Sequence, residues 1–169
     1  YQAIQNTQDW PRWWSNIERV EQLERGREDG VGEIDRFTFR TELPYKLRFD
    51  LQVTRNEPPT LLEGNASGEL QGIGRWTLAR EGNLTVVTYL WHVRTTRWWM
   101  NWLAPVARPL FARNHEAVMA NGGKALAKLL DARLVHQEYI ELDASTSVVP
   151  AQPISNLSAS SWTEGGKIN

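Results

Sequence analysis

The stretch Tyr45-Lys46-Leu47-Arg48-Phe49-Asp50-Leu51-Gln52-Val53-Thr54 carries more fold information than any other in the chain. Tyr45, Leu47, Phe49, Leu51 and Val53 fall on one side of an extended backbone, and Lys46, Arg48, Asp50, Gln52 and Thr54 on the other. Alternation of this kind marks a strand with one dry and one wet face; wound into a helix, the same residues would scatter around the circumference. A half-wet strand belongs to an antiparallel sheet, because parallel strands are covered on both faces and read as continuous apolar runs.

Neighbouring segments repeat the pattern. Glu33 to Thr41 sets Phe37 and Phe39 opposite Arg36, Thr38 and Arg40, and Leu43-Pro44 ends it. Ile17, Val20 and Leu23 stand among charges in an earlier strand, which a turn over Gly26 to Gly32 closes. Asn56-Glu57-Pro58-Pro59 reads as a turn, after which Leu62, Gly64, Ala66, Gly68 and Leu70 share one face. Trp76 and Leu78 continue the pattern, Glu81-Gly82-Asn83 turns the chain, and Val87, Tyr89, Trp91 and Val93 alternate in the last strand.

The apolar face of such a sheet must be covered, and only the stretch from Trp98 to about Leu134 is long enough to do it. Its period is helical, broken early by Pro105 and Pro109, with Phe111, His115, Val118, Gly122, Ala125, Leu126 and Leu129 in one stripe. Before the sheet, Tyr1 and Ile4 belong to a helical turn, and Asp9 is placed to cap a second short element that opens with Trp10-Pro11. These elements predict one α+β domain over residues 1–142. After Asp143, Ser, Thr, Ala, Pro and Asn dominate without hydrophobic period, which predicts a flexible tail over 143–169.

Composition narrows the function classes. The 169 residues suit a single core, and a net charge of -1 offers no electrostatic pull toward nucleic acid. Without cysteine there is no disulfide, thiolate nucleophile or cysteine metal site, which fits a reducing compartment. His92, His115 and His136 lack metal-ligand spacing, and Gly72-Ile73-Gly74 precedes no helix, so neither a metal nor a phosphate-bearing cofactor is expected. No apolar run reaches the roughly 18 residues of a membrane helix and no charged leader is visible, so a soluble, cytoplasmic protein is the expectation.

In order, Asp9-Trp10-Pro11-Arg12-Trp13-Trp14, Leu43-Pro44-Tyr45, Gly72 to Trp76, Trp91-His92-Val93-Arg94-Thr95-Thr96 and Arg113-Asn114-His115-Glu116-Ala117-Val118-Met119 resemble the polyketide cyclase/dehydrase family of the START-like, pollen-allergen-like superfamily. The resemblance runs from Tyr1 to about Leu134. It implies a helix-grip fold, a curved antiparallel sheet wrapped around a long C-terminal helix with a ligand cavity between them. It also implies a first strand ahead of the opening helix, for which the chain has no residues, leaving an exposed sheet edge.

The expected partner is a small hydrophobic molecule such as a lipid, isoprenoid, quinone or polyketide. Its expected contacts on the strands are Phe37, Phe39, Tyr45, Leu47, Phe49, Leu51, Ala66, Trp76, Leu78, Tyr89 and Trp91, and on the helix Phe111, His115, Val118, Met119 and Gly122. Gly64, Ala66, Gly68 and Gly122 either open the cavity or let the helix pack closer. His115 is the one candidate for proton transfer in a cyclase or dehydratase, or else a satisfied core histidine. Trp10, Trp13 and Trp14 with Trp98, Trp99 and Trp102 form a gate that touches membranes peripherally, or simple packing. A third reading is a protein-interaction module with a collapsed cavity and an exposed edge. Oligomeric state stays open.

Overall fold

A computed structural model describes residues 1–40, 46–96 and 115–140, and the backbone of 166–168. The expectations placed on Tyr45, on residues 97–114, Phe111 among them, and on most of the stretch after Asp143 lie outside the described residues.

The chain opens with α1 (Gln2–Gln5), a 3-10 turn (Thr7–Asp9) and α2 (Trp10–Trp13). Six strands follow: β1 (Ile17–Glu24), β2 (Ile34–Arg40), β3 (Lys46–Glu57), β4 (Leu61–Gly68), β5 (Leu70–Glu81) and β6 (Leu84–Thr95). Each pairs antiparallel with the next, giving an unbroken meander. The helix α3 covers residues 115–129 of those described, and β7 (Leu134–His136) follows it. The architecture is thus α+β, an antiparallel sheet with a helix.

Three local outcomes differ from the sequence reading. Asp9 flanks α2 but gives it no side-chain cap: its carboxylate instead accepts from Asn6 Nδ2 and Arg12 Nη1, each at 2.6 Å. The final helix stops short of Leu134, because Asp131 takes a left-handed conformation (φ 50°) that short polar side chains tolerate. There the Ala132 amide donates to the Ala127 carbonyl and the Asp131 amide to the Lys128 carbonyl, the pair of reversed bonds that closes a helix C-terminus. Within the expected tail, the backbone of β8 (Gly166–Ile168) joins the sheet between Thr85–Val87 of β6 and β7. The free edge of β6, with its unpaired amides and carbonyls, supplies the reason.

Cross-strand register builds the core. Phe37 faces Phe49, Leu62 faces Trp76 and Trp76 faces Tyr89, so the apolar face is one sheet of interlocking rings and aliphatic side chains. The N-terminal segment is sealed onto it: Ile4, Trp10 and Trp14 are buried in the same cluster as Phe37, Phe49 and Trp76, together with Val118, Leu126 and Ala127 of α3. The buried stripe of α3 is rotated from the expected one, with Ala127 inside and Leu129 49% exposed. Among the described residues no helix is long and apolar enough to cross a membrane.

Candidate functional site

A cleft lies between the N-terminal segment and the inner face of the sheet. Its apolar wall is Trp10, Phe37, Leu51, Val53, Leu62, Trp76 and Tyr89, its floor Gly64 and Gly74, and its polar end Gln5, Thr7, Glu33, Asp35 and Asn56. The cavity holds about 30 Å³, room for one or two water-sized groups.

Six aromatic side chains form a closed circuit around this region. Ring centroids are 6.0 Å apart for Trp10 and Trp76, 4.0 Å for Trp76 and Tyr89, 5.7 Å for Tyr89 and Trp91, and 5.4 Å for Trp91 and Phe49. Phe49 to Phe37 and Phe37 to Trp10 are both 5.5 Å, which closes the loop. All but the closer Trp76–Tyr89 stack fall within the range of about 4.5–7 Å in which aromatic pairs attract beyond their buried area.

The polar end is built by β2 and by an irregularity in β3. Asp35 stands two residues before Phe37 and therefore points to the inner face, where it is 3% exposed. Thr7 donates its hydroxyl to Asp35 Oδ2, and Gln8 Nε2 donates to Oδ1 at 3.1 Å. Glu33 shares a hydrogen bond with Asp35, and burial followed by the Asp35 charge holds its carboxyl above the usual range. Burial likewise raises Asp35, against the pull of its donors. A register shift between Val53 and Arg55 turns Asn56 inward, opposite Leu62. There Asn56 Oδ1 meets the Tyr1 hydroxyl, which also reaches the Leu61 carbonyl at 3.0 Å.

Of the residues expected to meet a ligand, the cleft brings together Phe37, Leu51, Trp76 and Tyr89. Phe39, Leu47, Phe49, Ala66, Leu78, Trp91, Val118 and Met119 belong to the surrounding core. His115 is placed elsewhere, edge-on to Tyr139 with centroids 5.7 Å apart, and burial lowers its pKa so that the imidazole is neutral at pH 7. Three glycines are points of close contact. A Cβ on Gly122 would lie 2.6 Å from the Trp14 indole, one on Gly74 would lie 2.6 Å from Trp91, and one on Gly64 would lie 3.0 Å from Leu51. Each is a seat for a large side chain. Trp10 and Trp14 are buried packing elements, their N–H groups spent on the Ile4 and Val118 carbonyls, while Trp98, Trp99 and Trp102 lie outside the described residues.

Asp35, Glu33 and Thr7 were missed by the sequence reading. The signal for Asp35 was available, since an acid at the inner-face position of a strand has to be satisfied by something. Comparison of the chain with family profiles, curated proteins and solved structures returns no match.

Proposed function

We propose that the chain is a helix-grip domain of the polyketide cyclase/dehydrase kind that binds a small hydrophobic molecule, with its apolar body against the aromatic face and its polar end at Asp35 and Glu33. What supports this reading is one observation above all: a largely apolar wall converges on a few buried polar groups, the usual composition of small-molecule sites. A chain without cysteine suits a reducing, cytoplasmic setting for such a carrier. The second reading, an interaction module with a collapsed cavity, is favoured by the free volume of about 30 Å³, well below the roughly 300 Å³ of ordinary ligand pockets.

Native mass spectrometry with organic extraction, applied to the full-length protein from its own cells, separates the two. A stoichiometric apolar compound is the expected result. An empty protein that also fails to take up a panel of lipids, quinones and polyketides overturns the carrier reading in favour of the interaction module.

A further inference from the structure

We propose that the outer face of the sheet at β4–β6 is a docking surface, and that its occupant is the C-terminal segment of the same chain, residues 141–165, moored by β8. The proposal goes beyond the ligand-binding reading and does not depend on it.

Two cross-strand ion pairs on the outer face differ in shelter. Arg36 of β2 and Asp50 of β3 have side chains 46% and 23% exposed, as suits a strand face open to water. Arg75 of β5 and Glu63 of β4 pair across strands in the same way, yet their side chains are only 11% and 13% exposed. Beside them Leu61 and Val86 are 5% and 7% exposed, although both lie outside the core cluster and point to the face opposite it. Thr38 is also buried on the outer face, but it is a small side chain flanked by Arg19 and Arg48, whose stems are long enough to shade it. Arg75 stands too tall for such shading. Arg75 and Glu81, both on this face, each engage a further partner besides.

None of the described helices supplies the cover. α1, α2 and α3 give their buried residues to the core on the opposite face, and the chain after β7 turns back to α3, where Gln137 meets Met119 and Tyr139 meets His115. The covered patch also has a limit along the strands. In the next row of paired residues, Asn65, Ile73 and His92, both Asn65 and His92 are exposed. That open row separates the patch from Thr96, about 30 Å along β6 from Val86, where residues 97–114 depart.

At its other end the patch adjoins β8, since Val86 pairs with Lys167 and Val87 with Gly166. Residues 141–165 run directly into β8, so their C-terminal end is fixed beside the patch. Extended, they reach up to about 80 Å, more than enough to cross the face. They carry Val148, Val149, Ile154, Leu157 and Trp162, apolar side chains to set against Leu61 and Val86. Tethering raises the effective concentration of this segment to about the millimolar range, which favours it over the same segment of a second copy.

The chain has no cysteine, so a single introduced cysteine reports on one position. In the full-length protein, Thr77→Cys, between Leu61 and Thr88 in the patch, should react with the water-soluble disulfide DTNB about 10-fold or more slowly than Ser67→Cys, which is exposed on the same face, because a covered thiol reacts only in locally opened molecules. Equal rates would show the face uncovered and overturn the proposal. Asn65→Cys, at the open rim, can carry a benzophenone without disturbing the core, and the cross-links formed on irradiation are mapped by mass spectrometry. Attachment within residues 141–165 of the same chain is the expected result. Attachment to residues 97–114 overturns the proposal. So does attachment to the tail of a second copy, recognised in a mixture of ordinary and isotope-labelled chains, and so does failure to attach to any of these segments.

Discussion

Gly122→Ala and Gly123→Ala should differ in sign or nearly so, although they are neighbours in one helix. Either replacement gains about 1 kcal/mol of helix propensity. At 122 the new methyl would stand 2.6 Å from Trp14 Cε2 and Cζ2, where carbon atoms rest about 3.5–4.0 Å apart, so the indole must retreat by about 1 Å. It has nowhere to go: Trp14 is 2% exposed, Trp13 stacks on it at 5.7 Å, and its Nε1 donates to the Val118 carbonyl at 3.1 Å. Overpacking costs about 1–3 kcal/mol and a strained hydrogen bond about 1 kcal/mol, for a net loss of about 1–3 kcal/mol. At 123 the methyl meets only the amide end of Gln137, which can swing aside and give up its bond to the Met119 carbonyl, about 1 kcal/mol that cancels the propensity gain. Urea unfolding followed by far-UV circular dichroism measures both. With a slope of about 2 kcal/mol per M, the midpoint of Gly122→Ala should fall by about 0.5–1.5 M and that of Gly123→Ala should stay in place. Equal shifts in the two variants would show that Gly122 is not a seat for the indole.

Three further outcomes are expected. Asp35 and Glu33 have folded pKa values above their unfolded ones, so they bind more protons when folded, and the stability they confer is complete at pH below the ordinary carboxylate range and lost as pH rises through the raised values. Unfolding free energy of Asp35→Asn should therefore depend less steeply on pH than that of the natural chain between about pH 4 and 7. Thr7→Val removes a donor from a buried carboxylate and should cost about 1–3 kcal/mol at pH 7, less at pH 4, as read by thermal melts at the two pH values. Trp14→Ala deletes the most enclosed indole among the described residues and should cost about 3–5 kcal/mol by urea unfolding; a loss under 1 kcal/mol would mean that the N-terminal segment is not part of the core.

Period-two alternation made the meander legible and put Phe37, Phe49, Trp76 and Tyr89 on apolar faces, because each strand had to present one side to a core, while their pairing across strands came only with the register. What the pattern could not convey was depth. Gly122 and Gly64 read equally well as open space or as tight contact, and only the approach of Trp14 and Leu51 distinguishes them. The polar end of the cleft was hidden for a different reason: Thr7 meets Asp35 across 28 positions in sequence, and the turn of Asn56 into the cleft depends on an extra residue in β3 that no spacing rule announces. The end of α3 was missed because Asp131, which is no glycine, takes the left-handed position.

The circuit of Trp10, Trp76, Tyr89, Trp91, Phe49 and Phe37 also makes the protein its own optical reporter. Chromophores whose centres lie 4.0–6.0 Å apart exchange excitation faster than they emit, and their transitions mix. Near-ultraviolet dichroism and fluorescence from this region therefore belong to the circuit and not to single rings. Removing one ring, or inserting any guest between two of them, should change the whole spectrum by more than one chromophore's share.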